Sequence, residues 1–159
     1  MKTQRNKPLR VVKIVNLQSR KQLALAKIRQ LTEKILLCLK KQVELHLVFV
    51  DDPQIKRINR LYHKQDRYTD VLAFAKPSQW PHLPNHLLYL GEVIISVDRI
   101  LEYADRFKVS PDEELIRYVI HGILHLLGER DKKSGERRKM FGRQEKLIEN
   151  LKPVSRLIS

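Results

Sequence analysis

Ser110-Pro111-Asp112-Glu113-Glu114-Leu115-Ile116-Arg117-Tyr118-Val119-Ile120-His121-Gly122-Ile123-Leu124-His125-Leu126-Leu127-Gly128 is the stretch that decides how this chain folds. Its first four residues make a helix start. Ser110 is placed to accept from a first-turn N–H, Pro111 sits where a missing N–H costs nothing, and Glu113 follows the cap by three residues. Leu115, Ile116, Val119, Ile120, Ile123, Leu124, Leu126 and Leu127 then surround the helix with apolar side chains. A helix that is apolar nearly all round is buried, so this segment is expected to be the central helix of the core. Gly128 stands where a helix ends on a left-handed residue.

The flanking sequence supplies what such a helix packs against. Apolar alternation or short apolar runs predict strands over Leu9–Val15, Val43–Val50, Asp70–Ala75 and Leu90–Val97. Three- and four-residue periodicity predicts a helix over Arg20–Lys40 and a short one through Ile55, Ile58 and Leu61, with Asp52 as its cap and Pro53 at its first position. A third helix runs from Ile100 to Phe107 under an Asp98 cap, and a last one from Gly135 to Leu151 turns Met140, Phe141, Leu147, Ile148 and Leu151 inward. Lys76–Leu88 holds Pro77, Pro81 and Pro84 and reads as a loop. The expected architecture is α+β, one domain over residues 1–159. It has about four strands in a mixed sheet packed with helices, and its central helix spans 111–128.

The chain has 159 residues, of which 42% are hydrophobic and 31% charged, so a sizeable core is affordable. The balance of charge is unusual: 32 Lys and Arg against 18 Asp and Glu give a formal +14. Such an excess favours a polyanionic partner, because each cation that meets a phosphate releases a counterion. RNA fits better than a membrane surface, since no apolar run reaches the ~18 residues that a spanning helix needs. Solubility alone would also account for positive charge. Cys38, the one cysteine, lies in an apolar stretch and reads as a buried small hydrophobe. The basic segment Met1–Arg10 has no following apolar region, so no secretory signal is expected and a reducing, cytoplasmic setting fits.

His121 and His125 are four residues apart, which puts both imidazoles on one helix face with Cβ atoms about 6 Å apart. Gly122 between them costs helix stability and so is expected to permit a close approach. Beyond the turn at Gly128, Asp131 can swing back over the two rings. Two histidines and a carboxylate with a fourth position open suit one catalytic zinc ion, which lowers the pKa of water towards neutrality. Two hydrogen-bonded core histidines are the plain alternative, but burying two imidazoles demands two partners. Helix-plus-turn zinc proteases place a glutamate directly after the first histidine as general base. Gly122 occupies that position here, which sets the protease reading below a nuclease.

His121-Gly122-Ile123-Leu124-His125-Leu126-Leu127-Gly128 closely resembles the signature of the YbeY-type endoribonucleases. Asn59-Arg60-Leu61-Tyr62 with Thr69-Asp70-Val71-Leu72-Ala73-Phe74, then Leu90-Gly91-Glu92-Val93-Ile94-Ile95-Ser96, and Met140-Phe141 with Glu145 resemble further blocks of that family, so the likeness spans about Val48 to Glu149. The resemblance implies an α+β fold and a zinc-dependent, single-strand-specific endoribonuclease. Its expected role is maturation of ribosomal RNA at the 16S 3′ end and ribosome quality control, with the ribosome or its proteins as partners. Two positions depart from the family pattern. Asp131 stands where the family carries a third histidine, and an anionic ligand softens the Lewis acidity of the ion. His63 stands where the family carries an arginine, and it lacks the guanidinium's bidentate fork.

The expected metal ligands are therefore His121, His125 and Asp131, and the expected catalytic groups are His63 and Arg60, one of which binds the scissile phosphate. Arg60, Arg67, Arg130 and Lys132 are expected to hold the RNA backbone over the site. Asp70 and Glu92 read as supporting carboxylates rather than ligands. An RNA- or ribosome-binding assembly factor with weakened catalysis, and a metallohydrolase of another substrate, are the competing readings.

Overall fold

A computed structural model describes residues 10–81 and 86–159. Leu9 of the first expected strand, most of the basic N-terminal segment, and Pro84 of the proline-rich loop lie outside the described residues. The four strands are β1 (Val11–Asn16), β2 (Val43–Val50), β3 (Val71–Ala75) and β4 (Leu88–Ser96). They form one mixed sheet in the order β1-β2-β4-β3. The β1–β2 and β2–β4 pairs are parallel, and β3 runs antiparallel to β4 at the edge.

Period-two alternation divides the sheet into two faces. Val43, Leu45, Leu47 and Phe49 of β2, with Val93 and Ile95 of β4, point to the larger core. That core is filled by α1 (Leu25–Cys38), α4 (Pro111–Leu126) and α5 (Ser134–Leu151). Val50, Leu72 and Ile94 point the other way and pack with Ile55 of α2 (Asp52–His63). α3 (Val97–Phe107) continues directly from β4.

α4 begins as its sequence dictates. Ser110 Oγ accepts from the Glu113 N–H at 3.3 Å, with Pro111 in the first turn. The last α-helical residue is Leu126, and the close of the helix runs through Leu127 to a left-handed Gly128 at φ +94°. There the Glu129 N–H donates to Leu124 O at 3.0 Å and the Gly128 N–H to His125 O at 2.9 Å, a Schellman closure.

Several local expectations are corrected by contacts distant in sequence. α1 starts at Leu25 rather than Arg20, because Gln22 and Ala24 bond instead to the end of the chain. Gln22 and Ser159 exchange backbone hydrogen bonds at 2.9 and 3.0 Å, and the Ala24 N–H donates to Leu157 O at 2.9 Å. Asp51 caps α2, not Asp52, and Ser96 caps α3, not Asp98. Parallel pairing places Val50 opposite Ser96, so the two helices begin side by side. Asp52 and Asp98 join those beginnings: Asp52 accepts from Ser96 Oγ at 2.8 Å and from Arg99 Nε at 2.9 Å, while Asp98 accepts from the Asp52 N–H at 2.8 Å. Cys38, at the end of α1, is exposed, and Phe141 points outward from α5. Gln144 takes the inward place between Met140 and Leu147. Among the described residues, no helix is long and apolar enough to cross a membrane.

Candidate metal centre

His121 and His125 lie one turn apart near the end of α4, where the helix rests on the sheet. Gly122 makes that contact possible. A Cβ built on it would come within 2.3 Å of Val93 Cγ1, so only glycine lets the helix lie this close to β4. Gly91, at φ +146° with Phe74 O 2.4 Å from a built Cβ, plays the same part from the strand side.

The turn after Gly128 brings Asp131 over the rings. Its Oδ2 lies 3.5 Å from Nε2 of His121 and 3.5 Å from Nε2 of His125. The two Nε2 atoms are 2.9 Å apart. Among the described residues, His121, His125 and Asp131 are the three groups whose ligand atoms gather within 4.8 Å as an ion would require. All three are half-buried: solvent reaches the site, while the walls limit it.

The remaining ring nitrogens are tied back. His125 Nδ1–H donates to Glu129 O at 3.0 Å, and His121 Nδ1–H to Gln144 Oε1 at 2.5 Å. A carbonyl oxygen only accepts, so each proton is held on Nδ1 and each Nε2 presents a lone pair. Two lone pairs and a carboxylate oxygen facing one another repel unless a cation lies among them. Burial, opposed by the Gln144 hydrogen bond, holds His121 below its ordinary pKa, so the neutral, ligating form prevails at neutral pH. The donor set therefore fits a metal ion, with fixed tautomers of the kind that metal-binding histidines require.

α5 supports this arrangement. Gln144 is 6% exposed and is its direct contact with the site. Arg137 donates to the carbonyls of Asp131 and Lys132 at 3.3 and 2.8 Å, bracing the turn, and Arg143 pairs with Glu129 at 2.5 Å. Arg117 of α4 donates to Glu145 of α5 at 2.7 Å from Nε and pairs also with the buried Glu114. Gln144 had one signal in the sequence, a polar residue at a position where the α5 periodicity asks for an apolar one. Its partner could not be read there, since 23 residues separate it from His121.

The other expected site residues fall in two places. Arg130 and Lys132 are exposed on the turn that carries Asp131. Arg60, His63 and Arg67 belong to α2 and the segment after it, and all three are exposed. The His63 ring stacks on Phe74 at 5.6 Å between centroids. Phe74 packs with the small cluster under α2, on the face of the sheet opposite α4. Among the described residues, no hydrogen bond, ion pair or ring contact joins His63 to the two histidines. None of Arg60, Arg67, Arg130 and Lys132 has a carboxylate at ion-pair distance among the described residues. Asp70, ahead of β3, is raised from its ordinary value by desolvation, with the Arg99 charge opposing.

Known proteins match this chain closely. The family described as Endoribonuclease YbeY matches residues 13–152. A protein of that name from Persephonella marina is 36% identical over 127 residues, covering 79% of this chain and 82% of the relative. One from Staphylococcus saprophyticus is 35% identical over 112 residues, covering 69% and 73%. The solution structure of TM1509 from Thermotoga maritima superposes with a TM-score of 0.61 at 28% identity, over 89% of each chain.

Proposed function

This chain belongs to the endoribonuclease YbeY family, and from that premise we propose that it is a zinc-dependent endoribonuclease that cuts single-stranded ribosomal RNA during its maturation. Hydrolysis of RNA phosphodiesters is the activity that the family carries. The ion, the single-strand preference, the 16S 3′ end as target, a part in ribosome quality control and the ribosome as partner are our reading, as is a single functional domain over residues 1–159. A cytoplasmic setting, where ribosomes mature, agrees with a chain that has one cysteine and therefore no internal disulfide.

One observation carries the reading. Two imidazole Nε2 atoms, each with its Nδ1–H engaged elsewhere, meet a carboxylate oxygen within 4.8 Å at the end of a helix. His121, His125 and Asp131 would hold the ion. When bound, it supplies Lewis acidity that makes water more acidic and offsets the charge that grows on a phosphate in displacement. The chain's own groups do the rest. Gln144 and the Glu129 carbonyl fix the tautomers, and Arg137 holds the Asp131 turn. Exposed Arg130 and Lys132, beside the ligand turn, attract RNA phosphates. Arg60 and Arg67, from the α2 side, extend the positive surface along which the backbone runs, and His63 or Arg60 engages a phosphate there.

The test pairs metal content with cleavage. The purified protein should retain about one zinc per chain, should cut single-stranded RNA, and should lose both properties on treatment with a strong chelator. Asp131→Ala should lower zinc affinity by about 10-fold or more. Full zinc content in Asp131→Ala would remove Asp131 from the ligand set. RNA bound but left uncut by the zinc-loaded protein would favour an assembly factor instead.

A further inference from the structure

A second concavity lies on the sheet face away from the histidines. Its volume is about 790 Å³, and its floor is the uncovered part of the sheet beyond α2. Glu92 of β4 is part of that floor. Strand register places His46 of β2 on one side of it and Phe74 of β3 on the other. Both flanks are aromatic. On the β2 side, Tyr89 lies 4.8 Å from the His46 ring and 5.3 Å from Trp80. On the β3 side, Tyr62 lies 5.3 Å from Phe74 in an edge contact. Trp80 and Tyr62 keep 49% and 69% of their surface exposed, so both side chains remain accessible from solvent.

The carboxylates here are not equivalent. Glu44 is taken up by Lys13 at 2.9 Å and by His46 at 2.7 Å. Glu92 is half-buried and has no cationic or hydrogen-bonding side-chain partner among the described residues. A half-buried carboxylate of this kind gains from a ligand that brings N–H donors. Lys76, on the same lining, is the cation available to a phosphate attached to the bound ring.

We propose that this cavity holds a nucleobase of the single-stranded RNA substrate, stacked on its aromatic walls, and that Glu92 selects guanine. Guanine alone offers two adjacent donors, N1–H and the N2 amino group, that match two carboxylate oxygens. Adenine and cytosine place a ring acceptor beside their amino donor, and uracil places carbonyls on both sides of its one N–H. Each of those acceptors faces the carboxylate unfavourably. Stacking supplies affinity for any base, and the carboxylate supplies the choice.

The cavity and the histidine pair lie back to back. Gly122 of α4 presses on Val93, whereas the adjacent Glu92 faces the cavity. The base that is held is therefore not the one at the scissile phosphate, and the RNA rounds the edge strand β3 to reach both. This inference rests on RNA as the substrate.

The experiment is a calorimetric titration of the metal-free full-length chain with each of the four nucleoside 5′-monophosphates. The phosphate is common to all four, so it cancels from the comparison. GMP should bind about tenfold more tightly than AMP, CMP or UMP. Glu92→Gln, which keeps the side chain's shape, should bring all four to within about twofold. Trp80→Leu, at an exposed position, should weaken all four together. Equal affinities in the parent protein, or a guanine preference that survives Glu92→Gln, would overturn the proposal. Cleavage of single-stranded RNA by the zinc-loaded protein is measured alongside. Cleavage without base preference in the titration sinks the pocket and leaves the nuclease standing. A Glu92-dependent guanine preference without cleavage supports the pocket and sinks the nuclease.

Discussion

Replacing Gly122 with alanine adds one methyl group at the point where α4 presses on the sheet. The new Cβ would sit 2.3 Å from Val93 Cγ1, 2.9 Å from Cγ2 and 3.2 Å from Cβ. Carbon atoms are comfortable at about 3.5 Å, so helix and strand must separate by ~1.2 Å along the closest line. Val93 is fully buried and β-branched, so its χ1 is restricted and it has little room to retreat. Overpacking of this kind costs about 1–3 kcal/mol, and alanine's better helix propensity returns up to ~1. A net loss of about 1–2 kcal/mol is expected, which for a chain of this size lowers Tm by about 2–8 °C. Circular dichroism melts of the metal-free protein read this directly. Val93→Ala removes both clashing methyls, so the double variant should be more stable than the sum of the single losses predicts, by about 1 kcal/mol or more. Strict additivity, or a Gly122→Ala protein as stable as its parent, would show that the close approach does not constrain the helix. The displacement also reaches the adjacent His121, so on the proposed reading zinc affinity should fall in the single variant and recover in the double.

Gln144→Leu should weaken zinc binding by about 10–100-fold, because His121 loses the acceptor that holds its Nδ1 proton. Gln144→Glu keeps an acceptor there and should restore most of the affinity, with competition against a chromophoric chelator as the assay. Equal loss in both variants would point to packing rather than orientation. The metal-free protein should also lose stability on mild acidification. Burial lowers the folded-state pKa of His121 beneath the unfolded value of about 6.5, so the unfolded chain binds more protons between the two values. The His121 contribution is complete above the unfolded value and is lost as pH falls through the folded one. Urea midpoints measured downward from pH 8 should therefore drop below about pH 6.5, and His121→Gln should flatten that segment. An unchanged slope in His121→Gln would assign the loss to other groups.

Sequence determined whatever depends on neighbours a few residues away. The Ser110-Pro111 start, the largely apolar body of α4, the two histidines on one turn, the Gly128 stop and the β2 strand are local facts of hydrogen bonding, periodicity and backbone freedom, and the structure repeats them. The resemblance to the endoribonuclease family was equally legible, because its signature lies within that same helix. Tertiary structure decided what joins distant segments. The choice of Asp51 over Asp52 and of Ser96 over Asp98 as caps follows from parallel strands that end level, a pairing that no local pattern encodes. The end of the chain shortens α1 by occupying Gln22 to Ala24. Gln144 reaches His121 only because α5 folds back along α4. The row His46, Glu92 and Phe74 exists only because β4 was inserted between β2 and β3. Side-chain spacing along a helix or strand is set by the backbone's own geometry, whereas strand order is settled by which arrangement buries the most apolar surface at once, and that is a property of the whole chain.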